Sequence, residues 1–227
     1  MKKESIILTI VWILILMLLV ISGSIGLVLL IRPLYYMQIG PLKLEEVLIP
    51  FAEGARTLSR AEIIEAYDEM MDYCLGISPL FSTGVLAFSA EGASHFADVK
   101  GLFLLDLWVL GITGTLSLAW LIFRNRIPVR SRKIAGLHAG FWAGALLLGI
   151  FALIGILGAI DFDRFFTIFH HVFFPGKTNW IFDYRYDQII GILPETVFSN
   201  FALMIVILIL ASCLGLIIHG ILQKRKG

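Results

Sequence analysis

Residues 6–31 read IILTIVWILILMLLVISGSIGLVLLI, a run with no ionisable side chain. A hydrocarbon core about 30 Å thick is crossed by about 20 apolar residues in a helix, so this run is long enough to span. The apolar part of a secretory signal covers only about 7–15 residues, and no small-residue cleavage site leads from the run into a polar start. It reads as a retained span. Three further runs of spanning length follow, at 102–123, 134–160 and 198–222. They predict an all-α membrane protein, a four-transmembrane-helix bundle in which residues 1–227 form a single membrane domain.

Composition agrees. Hydrophobic residues make up 59% and charged residues 15% of the chain, and the mean hydropathy is +0.91. Soluble domains carry about 25% charged residues, and a chain this apolar has no way to hide its surface from water in one core. The net charge of +1 gives no sign of a nucleic-acid partner. The two cysteines, Cys74 and Cys213, fall in segments too far apart in the topology to predict a disulfide.

Charge is distributed unevenly along the chain. Lys2 and Lys3, the connection carrying Arg124, Arg126, Arg130, Arg132 and Lys133, and the terminal Lys224, Arg225 and Lys226 hold ten basic residues, with Glu4 as their one acid. The connections 32–101 and 161–197 hold eight basic residues and fifteen acids. Basic segments stay on the cytoplasmic side, and four spans put all three on one side. Both termini are therefore expected in the cytoplasm. The two longer connections are expected outside, as a small extracytoplasmic cap of short helices with a hairpin or loop at Leu80–Phe88.

In the first connection, Ser59-Arg-Ala-Glu62 has the spacing of a capping box. It opens an amphipathic helix whose apolar residues Ile63, Tyr67, Met70 and Cys74 recur at helical intervals, with Gly76 and Pro79 as stops. Its acidic side, Glu62, Glu65, Asp68, Glu69 and Asp72, reads as a solvated face. With a helix start near Ser94, the residues His95, Asp98, Leu102 and Asp106 share one helix face. Ionisable groups this close to hydrocarbon are costly and point to function. In the second connection, His170 and His171 sit in an aromatic run, 165–180, of the kind that favours a membrane interface. Residues 182–193 read as another short interfacial helix, and Pro194-Glu195 as the start of the last span.

Two histidine groups at one membrane boundary suit general acid–base chemistry on a lipid-linked substrate, because imidazole titrates near neutrality. A metal site built from His95, Asp98, His170 or His171 is the second option, though no HExxH-type spacing is present. That option would make the chain a metal-dependent or other outer-leaflet lipid hydrolase. A non-enzymatic membrane protein remains the third. His138 and His219 lie near the cytoplasmic side and read as structural. No GxSxG motif occurs, and Ser22-Gly-Ser-Ile-Gly26 reads as a small-residue packing face within the first span.

Two stretches, Ser89-x-Glu-x-x-x-His-x-x-Asp-Val-Lys100 and Phe169-His-x-x-Phe-Phe-Pro-Gly-x-x-x-Trp180, are followed by Leu193-Pro-Glu195. In these motifs, in their order and in its four spans, the chain resembles the lipoprotein intramolecular transacylase family, integral membrane proteins found mainly in Gram-positive bacteria. The resemblance implies an acyltransferase with no cofactor. Its substrate would be a diacylated bacterial lipoprotein within membrane lipid, whose sn-2 acyl chain moves onto the α-amine of the N-terminal cysteine to give the lyso-form. It implies His95 and His170 as the catalytic pair, with His171 a bystander. Asp98 is then expected to orient an imidazole, and Lys100 or backbone amides to face the oxyanion. Glu91, Trp180 and Glu195 are further candidates for shaping the site.

Overall fold

The structure, a computed structural model, describes residues 3–225; Met1, Lys2, Lys226 and Gly227, and with them the expected cationic termini at Lys2 and Lys226, lie outside the described residues. The elements run β1 (Lys3–Ser5), α1 (Ile6–Leu30), α2 (Pro33–Ile39), β2 (Ile49–Phe51), β3 (Gly54–Arg56), α3 (Arg60–Cys74) and α4 (Ala90–Phe123). They continue with β4 (Val129–Ser131), α5 (Ala139–Ile160), α6 (Phe162–Phe173) and α7 (Glu195–Arg225), and single 3-10 turns lie at Leu44–Glu46 and Gln188–Gly191. Helices α1, α4, α5 and α7 are long and apolar enough to cross a membrane. Large side chains such as Ile7, Leu14, Leu118 and Ile122 stay exposed on them, as expected of surfaces covered by lipid.

Helix boundaries differ from the sequence reading in three places, each for a local reason. α4 starts at Ala90 rather than near Ser94, because the Ser89 hydroxyl accepts the Gly92 N–H at 2.9 Å and caps it. α5 starts at Ala139 rather than at 134, because Ala135 and Gly136 take positive φ (51° and 78°) in a turn closed by Ile134 and Leu137. Residues 182–193 form turns around one 3-10 turn instead of a helix. There Gln188 exchanges hydrogen bonds with Ala87, its N–H donating to the Ala87 carbonyl at 3.0 Å and its Oε1 accepting from the Ala87 N–H at 2.7 Å. Such bonds compete with helix formation. The start of α7 at Glu195 is where Pro194-Glu195 predicts it. Leu80–Phe88 contains no strand; the hairpin of this chain is β2–β3, paired antiparallel.

The chain divides into two compact units, and Met1–Leu27, Asp106–Ile160 and Leu203–Gly227 make up the first. In it, Trp12 and Ile13 of α1 pack with Ala139 and Ala143 of α5, and Leu147 of α5 packs with Ile209 and Cys213 of α7. Gly144 lets α5 and α7 approach closely, since a Cβ there would lie 2.8 Å from the Cys213 carbonyl oxygen. The 22–26 stretch of α1 behaves as the expected packing face. Gly26 abuts Leu110, and the Ser22 and Ser24 hydroxyls donate to the carbonyls of Leu18 and Val20. β1 pairs in parallel with β4, and the Thr9 hydroxyl donates to the Arg132 carbonyl at 2.9 Å. The N-terminal segment and the basic connection therefore lie at one end of this unit.

The second unit comprises Val28–Leu105 and Asp161–Ala202. Its core gathers around α3, where Ile63, Tyr67, Met70 and Cys74 are all buried, as their spacing requires. The capping box is complete: Ser59 and Glu62 each bond the other's backbone N–H. Tyr67 stacks on Tyr35 with ring centroids 3.8 Å apart, and the Tyr35 hydroxyl donates to the Ile192 carbonyl at 2.8 Å. The acidic side of α3 is not the solvated face its composition suggests. Arg32 pairs with Asp68 at 3.2 Å and with Asp72, Glu69 accepts from the Ser82 hydroxyl and the Gly84 N–H, and Glu62 pairs with Arg56 at 2.8 Å. Cys74 and Cys213 are both free and buried.

Candidate active site

His95 and His170 meet within the second unit. Their ring centroids are 5.6 Å apart and each residue is only 5% exposed. His95 sits on α4, more than a turn past the Ser89 cap. His170 sits in the last turn of α6, which begins with the Asp161 carboxylate accepting the Arg164 N–H at 2.9 Å. Adjacent residues on a helix point apart, and here His170 turns inward while His171 is exposed.

Aromatic rings wall the pair. His170 stacks on Trp180 at 4.6 Å and lies 4.2 Å from the Phe166 ring. Phe174 and Phe182 approach His95 at 5.0 Å and 5.5 Å. The tautomer of His170 follows from its one hydrogen bond. Its Nδ1 lies 2.8 Å from the Phe166 carbonyl oxygen; that oxygen accepts only, so Nδ1 carries the proton and Nε2 presents its lone pair. Burial is the main force pushing the His170 pKa below its ordinary value; the neighbouring His171 adds to this, and the bond to Phe166 opposes it. The side chain is thus kept as neutral imidazole at neutral pH. His95 Nδ1 is buried with no hydrogen-bond partner among the described residues.

Asp98 lies one turn beyond His95, and its hydrogen bonds go to the 174–180 loop rather than to either ring. Its Oδ1 pairs with the Lys177 ammonium at 2.5 Å and its Oδ2 accepts from Asn179 Nδ2 at 3.1 Å. Asn179 Nδ2 also reaches the Ser94 hydroxyl at 3.4 Å. The 174–180 loop is in this way fastened to α4, which fixes the two imidazoles relative to each other. Lys177 and Asn179 do this work, and both sat at positions the sequence motif left unspecified. Asn179 Oδ1 is a second buried polar atom with no partner among the described residues. Lys100 points elsewhere: its ammonium donates to the Ser78 carbonyl at 3.4 Å and lies 4.2 Å from the centre of the Tyr73 ring. Glu91 and Glu195 are exposed in the first turns of α4 and α7. Trp180 holds its own ring by donating Nε1–H to the Lys177 carbonyl at 3.0 Å. Among the described residues no group of three or more His, Cys, Asp and Glu side chains is placed to hold a metal ion.

Sequence reasoning also missed the buried pair Asp187 and Gln188, which hold the start of α4. Asp187 accepts from the Ser89 N–H at 2.8 Å and from the Ser89 hydroxyl at 3.0 Å. A signal was present in Gly92, a helical glycine with no turn to explain it: a Cβ there would meet Asp187 Oδ1 at 2.1 Å.

The family described as lipoprotein intramolecular transacylase Lit matches residues 10–198 of this chain. Among solved structures, the chain is similar to the membrane integral lipoprotein intramolecular transacylase Lit from Bacillus cereus, with a TM-score of 0.78 at 23% identity over 97% of each chain. Variants of that protein with a histidine changed to alanine or to arginine match with TM-scores of 0.71 and 0.66, at 23% and 22% identity. They cover 97% and 96% of this chain and 95% and 94% of their own. No curated protein matches. The structural likeness carries the membrane fold, and the family match carries the chemistry over most of the length. The chain belongs to the lipoprotein intramolecular transacylase family, and is a multi-pass membrane acyltransferase that acts on lipoproteins.

Proposed function

We propose that His170 is the general base of this acyl transfer, with His95 as its partner, and that the reaction takes place on the extracytoplasmic side. The observation that carries the assignment is the buried imidazole pair, 5.6 Å apart, with the His170 Nε2 lone pair unblocked. The substrate is a diacylated lipoprotein with a free α-amine on its N-terminal cysteine. The amine nitrogen attacks the sn-2 ester carbonyl, and a proton leaves the nitrogen for His170 Nε2. The tetrahedral adduct collapses by breaking the bond to the glyceryl oxygen, and that oxygen takes up the proton from the imidazolium. One ester is lost and one amide gained, with no outside acyl donor and no covalent enzyme intermediate.

Nucleophile and ester share one molecule, so holding them together supplies much of the rate, of order several kcal/mol. His95, through its unpartnered nitrogen, can bond the amine or the glyceryl oxygen, and the Asn179 side-chain carbonyl can accept from the amine N–H. Trp180 fixes the His170 ring by stacking, and Asp98 with Lys177 fixes the loop beneath it. Ile168, Val172 and Phe173 leave an apolar surface exposed on the helix that carries His170, suited to acyl chains. The extracytoplasmic placement rests on the basic residues gathered at the other set of connections.

The test is lipopeptide mass spectrometry after incubation of the purified chain with a diacylated lipoprotein, across a pH series. The product expected is the N-acyl, S-monoacylglyceryl form. Both the α-amine, with a pKa of about 8, and His170, with its pKa pushed below that of ordinary histidine, must lose a proton before reaction. The logarithm of the rate should therefore climb with a slope of about one below the amine pKa and steepen to about two below the histidine pKa. A single slope down to the acid limit means that no histidine must be neutral, and no N-acylated product at any pH removes the reading altogether.

A further inference from the structure

The first unit contains a second site at the end that carries β1 and the basic connection. A cavity of about 700 Å³ opens there. Its apolar wall includes Leu16, Leu19, Leu121 and Leu216, and its rim carries Arg124, Arg130, His138 and His219. None of its lining residues is an Asp or Glu.

Two hydrogen-bonding groups in it are unmatched. Trp12 and Ser117 are among its lining residues, and Trp12 Nε1 and Ser117 Oγ are both buried with no partner among the described residues. Trp12 is 9% exposed, and its indole N–H is a donor only. Buried donors without acceptors are rare, and each calls for an explanation. His138 has its pKa lowered by burial first, and then by the charges of Lys133 and Arg130 and by His219, while Glu4 stands opposite Arg130 in the β1–β4 pairing. The walls are held in place. Trp12 packs against Trp120 with ring centroids 4.8 Å apart, and the Trp142 indole N–H donates to the Ile134 carbonyl at 3.2 Å.

From this juxtaposition of unmatched donors, a carboxylate-free cationic rim and an apolar wall, we infer that the cavity binds an anionic phospholipid. The phosphate lies against the Arg124–Arg130 rim, the glyceryl ester carbonyls accept from Trp12 and Ser117, and one acyl chain runs along the leucines. A soluble anion would satisfy the rim but would leave the leucine wall uncovered, which is why the lipid is the occupant. Basic pockets between spans on the cytoplasmic side take anionic head groups in this manner. On the proposed orientation, the lipid comes from the inner leaflet, and the site is separate from the acyl-transfer chemistry.

Native mass spectrometry of the full chain, delipidated in detergent and titrated with phosphatidylglycerol, phosphatidylcholine or inorganic phosphate, tests this. The expected result is a one-to-one phosphatidylglycerol complex tighter than that with phosphatidylcholine and undisturbed by phosphate. Arg130→Gln should weaken it by about fivefold, the worth of one cation near an anionic lipid, and Ser117→Leu should weaken it by filling the cavity. Arg130 is a rim residue, so its variant reads out binding even where Ser117→Leu fails to fold. Equal affinity for the two lipids, displacement of the lipid by phosphate, or unchanged affinity in Arg130→Gln would each overturn the inference.

Discussion

Replacing His170 by alanine should lower acyl transfer by about 10²–10⁴-fold, the usual range for loss of a positioned general base. His171→Ala should stay close to the parent rate. The two residues adjoin in sequence and differ in direction: His170 is buried against Trp180 and His95, whereas His171 is exposed. Glutamine at 170 is the sharper probe, because its amide can still hydrogen-bond nearby but cannot accept a proton at neutral pH. His170→Gln should therefore lose nearly as much as alanine while keeping the thermal stability of the parent. His95→Ala should also be severely impaired. If the two imidazoles serve one proton path, the double variant should be little worse than either single one, because residues acting as a unit are not additive. The lipopeptide assay measures all five variants. Rates for His170→Gln within a few-fold of the parent would remove the base role. Full additivity of the singles would mean two independent contributions.

The spans, the α3 capping box and the start of α7 were legible because each depends on residues close together in sequence. Hydrophobic length sets a span, Ser59 and Glu62 are three apart, and Pro194-Glu195 is a local start signal. The histidines were legible as residues of the right type near the right boundary. Their meeting was not, since it is made by long-range polar bonds: Lys177 to Asp98, and Asn179 to Asp98 and Ser94. At Asp98 the resemblance led to an expected role in orienting an imidazole, and the sequence held no sign that a lysine 79 positions away pairs with that carboxylate. Composition misled at the acidic side of α3, because Arg32, which neutralises part of it, precedes α2 and has no periodic relation to it. Patterns read along one element report which face is polar. They do not report which distant residue comes to occupy it.

Gly92→Ala should be the most damaging single-methyl change in α4. A Cβ at that position would sit 2.1 Å from Asp187 Oδ1 and 2.9 Å from its Cγ, so the carboxylate has to move. Asp187 is 4% exposed and accepts both the N–H and the hydroxyl of Ser89. Displacing it forfeits two hydrogen bonds to a charged group, each worth about 1.5–3 kcal/mol. It also leaves the carboxylate short of partners and disturbs the cap of α4. The next residue, Gln188, is bonded to Ala87, so the 187–188 segment has little room to retreat. At about 2–4 °C per kcal/mol for a chain of this size, the melting temperature should fall by of order 10 °C. Activity should fall as well, because the disturbed helix start carries His95. Gly101→Ala on the same helix is the control: nothing lies within 4 Å of the added methyl, so it should be neutral or mildly stabilising. The cause is isolated by a cycle with Asp187→Ala. Asp187→Ala alone should destabilise, but adding Gly92→Ala to it should cost little more, since the atoms that clash are gone. A Gly92→Ala variant that melts with the parent, or a double variant whose losses simply add, would show that α4 does not depend on this close approach.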